Sequence, residues 1–188
     1  MNVVLIGPPG SGKGTQGELL AARLGLEHIA VGDLLRSEVS AGSAVGQEAA
    51  SYMTRGELVP DEVILRLLLP RVFAAAAAAG YLLDGFPRSV EQAESVRSEA
   101  AERGAGPDAV LYLDVPRPEL MRRILGRAAL EGRADDNEAT VATRLHVFDE
   151  ETRPLIGYYR ERGVLKLIDA NRPEPAVTGS ILAALGVN

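Results

Sequence analysis

Short apolar runs alternate along the chain with longer segments of helical periodicity. The runs are rich in branched aliphatic residues, which is typical of buried parallel strands. The predicted strands are 1–6, 26–31, 81–84, 109–115 and 164–169. The predicted helices are 13–24, 33–42, 61–79, 89–103, 117–129, 136–162 and 174–185. This alternation predicts an α/β fold in which a five-stranded parallel sheet carries helices on both faces, forming a three-layer sandwich.

Two stretches interrupt this alternation. Residues 30–60 are polar, punctuated by glycine and helical in pattern, with no obvious strand. Residues 126–136 form a short charged excursion between two helices. Both predict insertions at the rim of the core, where moving parts tend to lie. We therefore expect a single domain over 1–188, with a core of 1–29, 60–125 and 137–188, a small helical insertion at 30–59 and a short lid at 126–136.

The first predicted strand runs into a glycine-rich loop, Gly7–Gln16, which reads GPPGSGKGTQ. A strand, then Gly-x-x-x-x-Gly-Lys, then a helix predicts a phosphate-binding loop (P-loop). Its glycines keep side chains away, so that backbone N–H groups and a helix N-terminus can converge on phosphate oxygens. The strict pattern has Ser or Thr after the lysine, whereas here Gly14 precedes Thr15. The residues expected to contact the phosphates of a nucleotide are Gly10, Ser11, Gly12, Lys13, Gly14 and Thr15.

Composition narrows the class of protein. The chain has 188 residues, no cysteine, two histidines and a formal net charge of −6. These counts argue against disulfides, a thiolate zinc site and general nucleic-acid binding. The chain has no long apolar segment and its first residues are not typical of a secretory signal peptide. We expect a cytoplasmic protein without membrane or nucleic-acid partners, and a monomer, because no coiled-coil seam is present.

A nucleotide brings Mg²⁺, so an acidic residue should end a strand near the loop. Asp84 and Asp114 both end predicted strands. We favour Asp84 for the metal, through water, because Gly85-Phe86-Pro87-Arg88 follows it and turns an arginine toward the carboxyl edge of the sheet, where ligands bind. Asp114 is left with a supporting role or a position at a solvated strand end.

Arginines are placed around the predicted edge of the sheet. They include Arg36, Arg88, Arg123, Arg127, Arg133 and Arg144. Clamped positive charge is what phosphoryl transfer requires, and an anionic phosphate acceptor needs no general base. A guanine-reading Asn-Lys-x-Asp motif is absent, which argues against a GTPase switch. A nucleotide-binding regulatory module without chemistry would have no use for the arginine set.

Several motifs together resemble the adenylate kinases of the nucleoside monophosphate kinase family over nearly the whole chain. They are GPPGSGKGTQ at 7–16, GDLLR at 32–36, GELVPDEVI at 56–64, LDGFPR at 83–88 with Gln92, GRADD at 132–136 and PLIGYY at 154–159. The resemblance implies the reaction MgATP + AMP ⇌ 2 ADP. Within this family, Gly-Lys-Gly-Thr is the usual form of the phosphate loop.

The resemblance also implies roles for individual residues. Lys13, Arg88, Arg123, Arg133 and Arg144 would be catalytic and would neutralise the transferring phosphoryl group. Arg123, Arg127 and Arg172 would contact ATP together with the phosphate loop. The AMP site would comprise Val31, Arg36, Glu57, Leu58, Val59, Gly85, Phe86, Pro87, Arg88, Gln92, Arg133 and Arg144. Among these, Arg36 and Arg88 would hold the AMP phosphate and Gln92 would read the adenine edge.

Two departures from the family pattern bear on specificity and cofactors. The excursion at 126–136 is short and lacks cysteine, which predicts a short lid without structural zinc. Val31 stands where the family usually has a threonine beside the AMP base, and pyrimidine-specific relatives often have alanine there. Gln92 favours AMP, because those relatives usually have asparagine at that place. A UMP/CMP kinase on the same fold remains the alternative.

Overall fold

A computed structural model describes residues 1–131 and 138–187. The five predicted strands are confirmed, and they form one parallel sheet in the order β2-β3-β1-β4-β5. The strands are β1 Val3–Ile6, β2 Glu27–Ala30, β3 Tyr81–Asp84, β4 Ala109–Asp114 and β5 Leu165–Asp169. The α/β sandwich expected from the sequence is therefore the observed fold.

Helices follow the strands, and most of them agree with the predicted ranges. They are α1 Lys13–Leu24, α2 Val31–Ala41, α3 Ala44–Arg55, α4 Asp61–Ala77, α5 Val90–Glu102, α6 Arg117–Glu131, α7 Glu138–Val147, α8 Leu155–Glu161 and α9 Glu174–Leu185. Residues 30–60 are indeed helical, since they contain α2 and α3. No helix in the described part of the chain is long and apolar enough to cross a membrane.

Three predicted boundaries were wrong. The single helix expected at 136–162 is α7, a π-helical turn at Phe148–Thr152, and α8, because Pro154 removes a backbone donor after the turn. The strand expected at 26–31 ends at Ala30, and Val31 begins α2. The helix expected at 117–129 continues to Glu131.

Strand alternation divides the core between the two faces of the sheet. In β1, Val3 and Leu5 face one layer, whereas Val4 and Ile6 face the other, as the period of two requires. The layer on Val3 and Leu5 is built mainly from α1, α6, α7 and α9. The opposite layer contains α4 and α5, with residues of α2, α3, the π-helical turn and α8. Both faces of the central strands are thus covered, as in parallel sheets generally.

Strand register brings three connections to one edge of the sheet. Asp84 lies opposite Leu5 of β1 and opposite Ala30 of β2. The glycine loop after β1, the helical pair after β2 and the turn after β3 therefore all leave the sheet at the same level. This edge is where open parallel sheets bind ligands.

Candidate active site

The glycine loop between β1 and α1 has a backbone conformation that residues other than glycine rarely adopt. Gly10 and Gly12 have φ angles of 81° and 93°, in the left-handed region that favours glycine. A Cβ added at Gly10 would lie 2.8 Å from Ile124 Cγ1, so the loop also packs closely on α6. No side chain caps the N-terminus of α1. A helix N-terminus without a side-chain cap, preceded by glycine, is suited to bind phosphate.

Lys13 begins α1 and reaches back over the loop. Its Nζ donates hydrogen bonds to the carbonyl oxygens of Gly7, at 2.7 Å, and Pro8, at 3.1 Å. Ser11 is only 2% exposed, and its side-chain oxygen has no hydrogen-bond partner in the part of the chain that the structure describes. The loop thus presents a cation and backbone groups to a ligand, while its serine points inward.

The turn after β3 holds Arg88 through its backbone as well as its side chain. The Arg88 N–H donates to Gln92 Oε1 at 2.7 Å, and Arg88 Nε donates to the Gly85 carbonyl at 3.0 Å. Thr152, in the π-helical turn, donates to the Arg88 carbonyl at 2.6 Å. Phe86 and Pro87 are buried beneath this turn. The position of Arg88 is therefore determined from three sides.

Electrostatics identify the neighbours of Arg88. Burial lowers the pKa of the Arg88 guanidinium, the positive charges of Arg144 and Arg36 lower it further, and Asp84 opposes the change. The structure therefore brings together residues of α2, α7 and the β3 turn that lie far apart in sequence. Guanidinium groups this close to one another are suited to bind a multiply charged anion.

Two of the predicted arginines already contact acidic residues on their own helices. Arg36 forms an ion pair with Asp33, and Arg123 Nε donates to Glu119 Oε1 at 2.7 Å. Arg123 also donates to the carbonyl oxygen of Ala170 at 3.1 Å. The spacing of three or four residues on a helix permits such pairs, but their presence was not predicted.

The remaining predicted arginines are less informative. Arg172 is exposed and donates to Ser180 Oγ at 3.3 Å. Arg127 lies in α6, and Arg133 lies outside the described residues, as do 132–136 of the expected lid. Their expected contacts with nucleotides stay predictions.

The expected acceptor side of the cleft lies between α3 and α5. Glu57 is exposed and paired with Arg55, whose hydrogen bond holds the pKa of the Glu57 carboxyl below its usual value. Leu58 is half-buried and Val59 is buried. A Cβ added at Gly85 would lie 3.7 Å from Cβ of the buried Val31, which places the β3 turn against the start of α2.

Gln92, a predicted acceptor-site residue, is buried and forms hydrogen bonds through both polar atoms of its side chain. It is 2% exposed, and its Nε2 donates to Asp61 Oδ1 at 2.7 Å while its Oε1 accepts from Arg88. Asp61 was not among the predicted site residues, and neither was Thr152. Their signal was weak, because Asp61 is an ordinary acidic residue at a helix start and Thr152 fell inside an expected continuous helix.

The two acidic candidates, Asp84 and Asp114, lie in different surroundings. Both residues end strands that flank β1, but only Asp84 is partly exposed beside Arg88. Asp114 instead lines a depression with Tyr112, Arg153 and Asp169. Within the described residues, no group of three or more His, Cys, Asp or Glu side chains could hold a metal ion. A single carboxylate fits Mg²⁺, which keeps waters and binds substrate phosphates.

Comparison with known proteins agrees with this geometry. The sequence profile described as "Adenylate kinase" matches residues 5–164. The chain belongs to the adenylate kinase family. The resemblance inferred from the motifs is thereby confirmed, and it extends well beyond the phosphate loop.

Curated relatives match the chain over almost its full length. A protein named adenylate kinase from Thermobifida fusca is 45% identical over 98% of both chains. One of the same name from Thermus thermophilus is 46% identical over 98% of this chain and 97% of its own. Another, from Xanthomonas campestris pv. campestris, is 47% identical over 99% and 100% of the two chains.

Proposed function

We propose that the protein is an adenylate kinase, which transfers the terminal phosphoryl group of MgATP to AMP and forms two ADP. One observation carries the proposal beyond family membership. Arg88, Arg36 and Arg144 converge beside Asp84 at the edge of the sheet where the glycine loop begins. A phosphoryl group moving between two nucleotides would develop its charge between such a cluster and the loop.

The protein contributes binding and charge, and it supplies no covalent intermediate. The N–H groups at the start of α1 and Lys13 bind the ATP phosphates. Arg36 and Arg88 hold the AMP phosphate in line with the transferring group. Arg144, Arg123, Arg127 and Arg133 neutralise charge in the transition state. The acceptor phosphate is already anionic, so the reaction needs no general base.

Mg²⁺ belongs to the proposal as the partner of ATP. Asp84 would hold it, through water, and the ion would supply charge neutralisation on the phosphates. The other acidic candidate, Asp114, lies in a different depression on the sheet edge. We keep the prediction that no structural zinc is required.

The division of the chain is part of the same proposal. Residues 30–59 form the insertion that receives AMP, and 126–136 form a short lid over ATP, while 1–29, 60–125 and 137–188 form the core. Closure of both segments excludes water, which would otherwise accept the phosphoryl group. A cytoplasmic location and a monomeric state stay predictions.

AMP is the preferred acceptor over UMP or CMP. The relatives named above carry the name adenylate kinase, and Gln92 offers an amide that matches the edge of adenine. Val31 contributes no hydrogen bond to a base, so base selection depends more heavily on Gln92. A regulatory module without catalysis is not favoured by either observation.

Diphosphate formation from separate acceptors tests the proposal. Purified protein is incubated with MgATP and AMP, UMP, CMP or GMP, and each product is measured. We expect rapid ADP formation with AMP alone. Preference for UMP or CMP would instead identify the protein as the alternative, a UMP/CMP kinase. Retained ATP binding without transfer to any acceptor would contradict the proposed enzyme.

A further inference from the structure

The side-chain amide of Gln92 forms hydrogen bonds with one group that can only donate and one that can only accept. Its Oε1 accepts from the Arg88 backbone N–H, and its Nε2 donates to Asp61 Oδ1, both at 2.7 Å. A backbone N–H can only donate and an ionised carboxylate can only accept. The orientation of the amide is therefore determined by its partners, because rotating it by half a turn would oppose donor to donor and acceptor to acceptor.

We infer that Asp61 is a positioning residue that sets the acceptor base specificity by fixing the polarity of the Gln92 amide. This inference rests on the proposed function, in which Gln92 reads the base of AMP. After its two bonds, the amide retains one lone pair on Oε1 and one N–H on Nε2. Adenine matches that pair, since its N6 amino group donates and its N1 accepts.

A purine of opposite polarity would be rejected by the same amide. Hypoxanthine, the base of inosine monophosphate (IMP), has the adenine ring system with an N1–H donor and an O6 acceptor. Opposite the fixed amide, O6 would face an acceptor and N1–H would face a donor. If the amide could rotate, either base would find partners. Fixing the amide therefore discriminates by leaving the wrong base with unpaired groups, which is costly in a buried site.

The position of Asp61 supports this role. Asp61 is the first residue of α4 and directly follows the segment 57–60, which leaves the insertion. Gln92 lies in the first turn of α5, where its own N–H donates to the Ser89 cap at 3.1 Å. The Asp61–Gln92 bond thus joins the starts of α4 and α5. Gln92 is 2% exposed, so water competes little with the two partners that orient its amide.

The test compares acceptor use by the wild type, Asp61→Asn and the control Glu62→Gln. Asn is isosteric with Asp but can present either an oxygen or an NH₂ group to Gln92, so only Arg88 continues to orient the amide. Glu62 is the adjacent exposed acidic residue in the first turn of α4. The readout is the ratio of kcat/KM for AMP to kcat/KM for IMP, with MgATP in excess. Thermal midpoints are recorded for all three proteins.

We expect Asp61→Asn to lower the AMP/IMP ratio by about tenfold, the size expected for one buried hydrogen-bond mismatch. Glu62→Gln should leave the ratio unchanged, and Asp61→Glu, which restores a carboxylate, should recover part of the discrimination. The KM for ATP should stay at its wild-type value, because the amide lies on the acceptor side.

Different failures have different meanings. A wild type that does not phosphorylate AMP would refute the proposed function itself. A wild type that uses AMP, together with an Asp61→Asn variant of unchanged AMP/IMP ratio, would refute only the role of Asp61. A ratio lowered equally by Asp61→Asn and Glu62→Gln would also refute it, since the effect would then be one of general charge. A lower thermal midpoint with an unchanged ratio would leave Asp61 as a structural residue.

Discussion

Lys13 supplies the positive charge of the glycine-rich phosphate loop. The sequence contains two lysines, Lys13 and Lys166, and only Lys13 lies against the loop. Its present bonds to the Gly7 and Pro8 carbonyls hold the ammonium group within reach of a ligand on the loop. Arriving phosphates would be stronger partners than carbonyls, because charge-assisted bonds are about twice as strong.

Replacing Lys13 with methionine should abolish most of the activity while the fold is retained. Methionine keeps the length of the side chain but removes the charge that, in the proposed function, stabilises the transferring phosphoryl group. We expect kcat/KM to fall by roughly 10²–10³ or more, the cost of losing one preorganised charged donor. Steady-state kinetics with MgATP and AMP measure this loss, and circular dichroism verifies the fold.

Lys166→Met is the matched control, because Lys166 is exposed on β5. It should retain wild-type kinetics. Near-normal turnover in Lys13→Met would contradict the assignment of the phosphate loop as the ATP site.

Residue types and spacing indicated candidate phosphate-binding side chains, but not which protein groups those side chains contact in the structure. Arg36, Arg88 and Arg123 were selected because they follow strands or lie on helices near the edge. The contacts of Arg36 with Asp33 and of Arg123 with Glu119 depend on rotamers that no sequence pattern specifies. The link from Thr152 to Arg88 depends on a π-helical turn, which has no simple periodic signal.

At the scale of secondary structure, the two helices of the insertion, α2 and α3, pack closely against each other. A Cβ added at Gly46 would clash with the Glu38 carbonyl oxygen, which is a backbone atom and cannot move aside cheaply. Ser43 caps α3 by accepting from the Gly46 N–H at 3.0 Å, so the start of α3 is also tied to this contact. The two helices therefore require glycine at 46.

Gly46→Ala should destabilise the protein by roughly 1–3 kcal/mol, because the added methyl group overpacks a backbone contact. The control is Gly179→Ala in α9, where a Cβ would meet nothing within 4 Å. There the alanine should stabilise by about 0.5–1 kcal/mol through lower backbone entropy in the unfolded chain. Denaturant unfolding measures both. Equal effects at the two positions would show that helix propensity, and not the α2–α3 contact, determines the outcome.

The start of α6 predicts a dependence of stability on pH. Hydrogen bonds from Arg122 and then Arg123 lower the pKa of the Glu119 carboxyl from 4.5 to about 2. A carboxyl whose pKa is depressed by folding stabilises the folded state only when ionised. Its contribution is therefore complete above pH 4.5 and is lost as the pH falls toward about 2.

Thermal midpoints of wild type and Glu119→Gln, measured from pH 7 to pH 3, test this contribution. The wild type should be the more stable by a constant margin down to about pH 5, and the margin should then narrow. Glu91→Gln, in the first turn of α5, is the control for removing one carboxylate from a helix start. A margin that widens at low pH would contradict the sign of the shift.

Helices and strands were the part of the fold that the sequence could predict best, because periodicity reports directly on which face is buried. The boundaries failed where the chain continues in helical geometry without a change in pattern. Residues 136–162 keep helical spacing through the π-helical turn, so α7 and α8 were merged. Strand order could not be derived from the pattern, since β1 pairs with β3 and β4 through crossovers whose position depends on the whole sheet.

At the scale of the whole molecule, the insertion at 30–59 already touches the core away from its two connections. Thr140 of α7 donates to the Thr54 carbonyl at 3.4 Å, and a Cβ added at Gly56 would lie 2.9 Å from Arg144 Cγ. Gly56 has a φ of 73°, which allows α3 to end tightly against α7. The helix that carries Arg144 therefore also contacts the end of the insertion at 30–59.

From this contact we predict that a ligand bound at the acceptor site slows amide hydrogen exchange in the insertion more than in the sheet. Binding of a two-site analogue, two adenosines joined through five phosphates, should link Arg36 of the insertion with Arg88 and Arg144 of the core. Opening of the insertion would then break charge-assisted bonds as well as the Thr140 contact. Amide hydrogen exchange in 30–59 should therefore slow by roughly tenfold or more at saturation, because each opening event must break at least one such bond.

Hydrogen exchange with mass spectrometry measures this effect, and β4 provides the internal control. The sheet is buried on both faces, so exchange in 109–114 should change far less than in 30–59. ATP alone should protect the phosphate loop but not the insertion, since in the proposed function the insertion binds the acceptor. Equal slowing in both regions would indicate simple global stabilisation by ligand, and the division into a core and an AMP insertion would then be wrong.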